Sequence, residues 1–247
     1  MKAIVLSAGQ GRRLLPLTET RPKCLAPLSG RSLLTWQLEG LHAAGIGEAV
    51  VVTGFGADQV EAEIAAVTPR GMTVRTLFNP FYSVADNLAS CWMARGEMEG
   101  EFLILNGDTL FEPQVACRLL QAPPAPITLA VDRKPTYDDD DMKVKAEGSR
   151  LQAIGKSLPL EVVSAESIGF LRFSAAGGHR FVEALEQEMR QSQGLNLWYL
   201  SVIDALAKAG VGVEIASIEG LEWGEMDFPN DLHRNEVLTA SWSERAA

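Results

Sequence analysis

Between Leu6 and Leu28 the chain reads LSAGQGRRLLPLTETRPKCLAPL, a segment whose residue types suit phosphate. Gly9 and Gly11 let the backbone approach a ligand closely and turn successive N–H groups toward it. Arg12, Arg13 and Lys23 add cations to the same stretch. A guanidinium can hold two phosphate oxygens at once, whereas an ammonium acts as a mobile point charge. There is no GxxxxGK[ST], so the segment is not a P-loop. Gly9-x-Gly11 is followed by arginines, so the dinucleotide fingerprint fails as well. Taken alone, Gly9-x-Gly11 reads equally as a turn with exposed arginines. Two aspartates complete the set. Asp108 follows the apolar run FLIL in Leu105-Asn106-Gly107-Asp108, and Asp227 lies in WGEMDFPNDL. Each has two readings. Asp108 is a metal-binding carboxylate at a strand end or a turn-former beside Gly107. Asp227 is a second metal ligand or the N-cap of the last helix. Mg²⁺ takes one or two carboxylates together with water and phosphate oxygens, so two aspartates from distant strands suffice for one ion.

The elements that must position these residues follow from hydrophobic patterning. Lys2–Ser7, Ala49–Thr53, Met72–Phe78 and Phe102–Leu105 read as short buried strands. Between them lie helical stretches at Ser32–Gly45, Asp58–Val67 and Asn87–Arg95. Alternation of strand and helix predicts right-handed βαβ units and a parallel sheet covered on both faces. Ligands of such sheets bind beyond the carboxyl ends of the strands. Both the loop after the first strand and Asp108 fall there. After Pro113 the rhythm changes. Strands are expected at Ile127–Val131, Met142–Ala146, Leu151–Ile154, Ile168–Phe173 and Val213–Ser217, and helices at Gly177–Gln193, Leu197–Ala209 and Asn230–Ala240. The run Asp138–Asp141 reads as a solvated turn. The expectation is one α/β domain over residues 1–247: a Rossmann-like three-layer α/β/α arrangement with a mixed central sheet and a small lobe in the second half.

Composition bounds the function. The 247 residues carry 22 Lys and Arg against 32 Asp and Glu, a formal charge of −10, which argues against nucleic-acid binding over a broad basic face. Residues 12–23 reverse that sign locally, with Arg12, Arg13, Arg21 and Lys23 against Glu19. Cys24, Cys91 and Cys117 form neither a metal pattern nor a disulfide framework, which suggests a reducing compartment. His42, His179 and His233 are too scattered for a histidine metal cluster. The apolar stretch near the N-terminus, Ala3–Leu6, is too short for a signal peptide or a membrane span. We therefore expect a cytoplasmic protein that binds neither nucleic acid nor membrane, as a monomer or homodimer.

The pattern Leu6-x-Ala8-Gly9-x-Gly11-x-Arg13-Leu14-x-Pro16-Leu17-Thr18, followed by Pro22-Lys23-x-Leu25-x-Pro27-Leu28, resembles the nucleotidyltransferase signature, with Ser7 in place of the commoner Ala. The resemblance implies a loop that wraps a triphosphate, with Arg13 and Lys23 on the phosphates and Asp108 and Asp227 on Mg²⁺. It also implies nucleotide contacts from Leu6, Ala8, Gly9, Gly11, Arg12, Gly54, Asn87, Ser90, Asn106 and Gly107. Within the family, DDDMKV, IGK, IGF and FPNDL look most like the cytidylyltransferases of phosphocholine, 2-aminoethylphosphonate and inositol phosphate. Residues 1–120 would then hold CTP and residues 121–247 the acceptor. Lys143 is a candidate anchor for the acceptor's phosphate or phosphonate, or an ordinary exposed strand lysine. Glu166 with Tyr137, Trp198, Tyr199 and Trp223 are candidates for holding an ammonium group, since aromatic faces and a carboxylate suit one; otherwise the aromatics are packing residues. The implied reaction is in-line attack of an acceptor oxygen on the α-phosphorus of CTP with release of pyrophosphate. Two other functions fit the chain: a hexose-1-phosphate uridylyl- or thymidylyltransferase, and a catalytically silent nucleotide-binding regulatory module. The pair Asp108 and Asp227 argues against the second.

Overall fold

The structure is a computed structural model and describes residues 1–246. In chain order it contains β1 (Lys2–Leu6), β2 (Pro27–Leu28), β3 (Arg31–Ser32), α1 (Leu33–Ala43), β4 (Glu48–Thr53), α2 (Ala57–Val67), β5 (Thr73–Phe78) and α3 (Asn87–Met93). There follow β6 (Phe102–Asn106), β7 (Thr109–Phe111), α4 (Pro113–Gln121), β8 (Ile127–Asp132), β9 (Lys143–Glu147), β10 (Arg150–Ile154) and β11 (Ala165–Phe173). The chain ends with α5 (Ala175–Met189), α6 (Tyr199–Lys208), β12 (Val213–Ser217), β13 (Trp223–Glu225) and α7 (Pro229–Ala246).

Nine strands form one sheet in the order β5-β4-β1-β6-β11-β8-β12-β10-β9. The edge from β5 to β6 is parallel, β11 runs antiparallel to β6 and β8, and β12 is parallel to β8. The sheet is therefore mixed, and it runs through both halves of the chain. At its far end β9 pairs with β10 and also with Ala165 and Glu166 of β11, which curls this end into a small lobe. The two faces bury separate apolar layers. One packs Leu34, Leu38 and Leu41 of α1, Val60 and Ile64 of α2, and Val115 and Leu119 of α4. The other packs Leu88 and Cys91 of α3, Phe181 and Leu185 of α5, and Val202 and Ile203 of α6. This is the three-layer α/β/α arrangement.

Local chemistry sets the helix ends. The Ser32 hydroxyl accepts a hydrogen bond from the Thr35 N–H at 3.0 Å and so caps α1. The patterning reads no helix at α4. There Pro113 occupies the first turn, where its missing N–H costs nothing, and so opens a helix instead of breaking one. Sequence patterning also passes over β2, β3, β7 and β13, each two or three residues long. Among the described residues no helix is long and apolar enough to cross a membrane.

Candidate active site

Strand β1 lies between β4 and β6, so the strand order reverses there. Leu6 and Asn106 are register partners in the pair β1–β6. The loop after Leu6 and the turn after Asn106 therefore leave the sheet side by side, at the position where open α/β sheets bind ligands. A cleft opens between them. Its walls are Leu6–Gly9, Gly11, Lys23 and Cys24 on one side, Asn106–Asp108 beneath, and Tyr82, Ala85–Asn87, Ser90 and Trp198 opposite.

Each wall is held by identifiable bonds. Gly11 sits at φ +79°, and a Cβ there would lie 2.8 Å from Cβ of Lys23, so glycine is what lets Lys23 cross this loop. The Thr18 hydroxyl donates to the Gly11 carbonyl at 2.7 Å and closes the loop. Gly54 does not line the cleft. A side chain there would come within 2.6 Å of the Ala8 carbonyl, so Gly54 supports the loop from behind. The buried Gln37 amide donates to the carbonyls of Asn106 and Thr109, both at 2.9 Å, and clamps the turn that carries Asp108. Asn79 donates to the Ser90 hydroxyl at 3.0 Å, and the Asn87 side chain accepts from the Tyr199 N–H at 3.0 Å. Asn87 and Ser90 thus face the cleft while their side chains also order the wall.

The two aspartates are brought together by a short ribbon. β13 pairs antiparallel with β7, placing Glu225 opposite Thr109, and the Met226 N–H donates to the Asp108 carbonyl at 3.0 Å. Asp227 therefore arrives beside Asp108. The Lys23 ammonium lies between them, 2.7 Å from Oδ2 of Asp108 and 2.6 Å from Oδ1 of Asp227. Arg13 reaches Oδ2 of Asp227 at 2.8 Å and lies over the Phe228 ring. Arg12 is exposed one residue earlier, with no ion-pair partner among the described residues. Burial works against the charge on Lys23, but Asp108 and Asp227 outweigh it and raise its pKa to about 12. Burial also opposes charge on Asp227, yet Lys23 and Arg13 hold its pKa below the usual carboxylate range. Oδ1 of Asp108 is buried without a hydrogen-bond partner. Two carboxylates that share one ammonium, one of them with an orphaned oxygen, are a donor set that fits Mg²⁺ completed by phosphate and water.

Beyond Asp227 a second cavity of about 400 Å³ opens on the lobe side. Glu166, Trp223 and Glu225 line it, and the Trp223 indole N–H donates to Asp132 at 2.8 Å. Burial first, then the charges of Asp108 and Asp227, push the Glu225 pKa up to about 8. Burial pushes Glu166 up to about 7 against the pull of Lys134. The acidic run is more than a solvated turn. Asp138 accepts the N–H groups of Asp140 and Asp141, Asp141 pairs with Lys134 at 2.8 Å, and Asp140 reaches Arg13 at 3.4 Å and Lys156 at 3.3 Å. Sequence reasoning missed Lys134, Asp140, Lys156 and Glu225. The charge of the run was the available signal, but its partners lie on other elements.

Burial corrects two acceptor-side expectations. Lys143 is 2% exposed, and its ammonium donates to the Lys156 carbonyl at 2.8 Å, so it serves the lobe's interior. Tyr199 is fully buried, and its hydroxyl donates to Oδ1 of Asn106 at 3.1 Å, so it supports the cleft floor. Trp198 lines the cleft beside the glycine loop with the Lys156 ammonium over its ring, and Tyr137 faces Lys134.

A ligand cleft at the strand-order reversal, with a cationic glycine loop facing paired aspartates, is the arrangement of a nucleotidyltransferase-type α/β fold. A family model described as the MobA-like NTP transferase domain matches residues 3–195. The chain belongs to this family. It is 33% identical, over 94% of its own length and 37% of the relative's, to a CMP-5'-(3-aminopropyl)phosphonate synthase of Streptomyces rubellomurinus. It is 31% identical to a bifunctional IPC transferase and DIPP synthase of Rubrobacter xylanophilus, over 98% of this chain and 52% of that one. The chain thus spans about half or less of the length of these two curated relatives. Among solved structures, the inositol-1-phosphate CTP transferase from T. maritima shares the fold with a TM-score of 0.81 at 22% identity, covering 96% of this chain and 94% of that one.

Proposed function

We propose that the chain is a Mg²⁺-dependent, CTP-using cytidylyltransferase that transfers CMP to a small phosphate or phosphonate acceptor and releases pyrophosphate. The observation that carries this reading is the meeting of Lys23, Arg13, Asp108 and Asp227 between two cavities, one walled by the glycine loop and one by carboxylates. The kinship with a CMP-5'-(3-aminopropyl)phosphonate synthase and an IPC transferase supports the choice of CTP and of this acceptor class.

An acceptor phosphate or phosphonate is already ionised at neutral pH, so the step needs positioning and charge stabilisation more than a strong base. Residues 1–120 supply most of the nucleotide cleft, with Trp198 added from the second half, and residues 121–247 take the acceptor. The backbone from Leu6 to Gly11 and the turn Asn106–Gly107 take up the nucleotide. Arg12, Arg13 and Lys23 stabilise the charge of the departing pyrophosphate. Asp108 and Asp227 hold Mg²⁺, which when bound neutralises phosphate charge at the reacting phosphorus. The carboxylate of Glu225 beside Trp223 suits an acceptor that carries a cationic group. We place the activity in the cytoplasm, on three free thiols without a disulfide.

The test is a matrix of four nucleoside triphosphates against phosphocholine, 2-aminoethylphosphonate, inositol phosphate and glucose 1-phosphate, read as pyrophosphate release with Mg²⁺ or with EDTA. Turnover confined to CTP and a non-hexose acceptor, and lost in EDTA, is expected. Preference for UTP or dTTP with the hexose phosphate would replace this reading with the hexose one. CTP binding by calorimetry with no turnover on any acceptor would replace it with a silent binding module.

A further inference from the structure

The lobe-side cavity is lined by a half-buried cation of the protein itself, Lys134, and by the exposed Arg234. Among its carboxylates are Asp132 at the end of β8, Asp141 in the following loop, Glu166 on β11 and Glu225 on β13. Side chains alternate along a strand, so Trp223 and Glu225 share one face of β13, and Asp227 follows two residues on. The Trp223 indole donates to Asp132 at 2.8 Å, and Asp132 is the register partner of Glu166 across β8 and β11. Glu166 is in turn bonded to Lys134, whose ammonium lies 2.8 Å from it and 2.8 Å from Asp141, and 5.8 Å from the centre of the Tyr137 ring. The contacts run from Trp223, two residues before Glu225, through Asp132 and its register partner Glu166 to Lys134. Two carboxylates and an aromatic face are what a free ammonium group selects. Here a side chain of the protein already takes them.

We infer that Lys134 sets the length of acceptor the cavity accepts: its ammonium fills the far cation position, so an acceptor's own cationic group stops at Glu225. This rests on the cytidylyltransferase reading for its consequence in catalysis, though not for its consequence in binding. Shortening Lys134 to alanine empties the far position and leaves Asp141 and Glu166 free to take a second, more distant ammonium. Substitution by methionine removes the charge but keeps the position filled. A residue that only ties the loop to β11 would disturb all acceptors alike and leave the length preference in place.

The experiment uses the full chain as wild type, Lys134→Ala and Lys134→Met, each checked for folding by circular dichroism. Specificity constants with CTP are measured across ω-aminoalkylphosphonates of increasing chain length. Lys134→Ala is expected to shift the optimum to a longer chain and raise the long-to-short ratio about tenfold or more, the size of one charge-assisted hydrogen bond. Lys134→Met is expected to lower the rates without moving the optimum. An unmoved optimum in a folded Lys134→Ala protein overturns the inference, and so does an equal shift in both variants. If wild type turns over none of the series, the catalytic reading has failed separately, and calorimetry with hexylammonium decides the inference. Lys134→Ala must then bind that probe at least tenfold more tightly than wild type, and equal binding overturns it.

Discussion

Removing the Lys23 ammonium tests the site most directly, because one nitrogen holds two carboxylates together. Its side chain is 16% exposed, and its hydrogen bonds to Asp108 and Asp227 are 2.7 and 2.6 Å long. Breaking a fully buried ion pair by deleting one partner costs about 3–5 kcal/mol. The partial exposure of Lys23, Asp108 and Asp227 reduces that to about 2–4 kcal/mol by solvent screening. For a chain of this size each kcal/mol lowers Tm by about 2–4 °C, so Lys23→Met is expected to melt on the order of 10 °C below wild type. The paired aspartates then face each other uncompensated, so millimolar Mg²⁺ should recover part of the loss in the variant and much less in wild type. The catalytic effect is separable. Loss of one preorganised charge is expected to lower kcat by a factor on the order of 10²–10³. Differential scanning fluorimetry with and without Mg²⁺ and steady-state pyrophosphate release read the two effects. Wild-type turnover in a folded Lys23→Met protein would remove Lys23 from the mechanism. A Tm unchanged in metal-free buffer would mean that the bridge between Asp108 and Asp227 does not hold the ribbon in place.

Three further outcomes follow from the same geometry. Asp140 makes exposed pairs with Arg13 and Lys156, each worth about 0–1 kcal/mol, so Asp140→Asn should leave KM for the nucleotide unchanged or lower it by up to about fivefold; a tenfold rise would show that Asp140 itself serves the substrate. Tyr199→Phe orphans Oδ1 of Asn106 at the cleft floor and should cost about 0.5–1.5 kcal/mol in urea denaturation, with a raised nucleotide KM; unchanged stability and KM would mean the bond does not order that floor. Glu166 and Glu225 have folded pKa values of about 7 and 8, above the ordinary 4.5, so folding favours their protonated forms. Their contribution to stability is fully present below about pH 4.5 and is lost as pH rises through about 8. Glu97, held down to about 2 by Arg75 and Lys2, acts in the opposite sense only at lower pH. Tm is therefore expected to rise between pH 8.5 and 5.5, and Glu225→Gln to remove part of that rise; an equal rise in variant and wild type would refute the assignment to Glu225.

Much of the frame was legible in the residues. Ile4-Val5-Leu6 and Phe102-Leu103-Ile104-Leu105 are apolar because both faces of those strands are covered, and that continuity marks buried parallel strands without reference to structure. The glycines and Lys23 of the first loop were equally visible as a cluster, and the structure sets Gly9, Gly11 and Lys23 on the cleft wall. The small elements were not. β7 and β13 are three residues each, too short to show any period, and they exist because each supplies the other's hydrogen bonds.

That ribbon is why the sequence by itself could name Asp108 and Asp227 but not bring them to one ammonium. Their meeting depends on a pairing between segments more than a hundred residues apart. The same limit applies to burial. Lys143 and Lys156 are both lysines in the same lobe, yet one turns into its interior while the other faces Asp140 and Trp198. Residue type set what chemistry each side chain was capable of. Tertiary packing decided which charges were left facing the cavities, because a side chain's solvation and partners are properties of its neighbours in space.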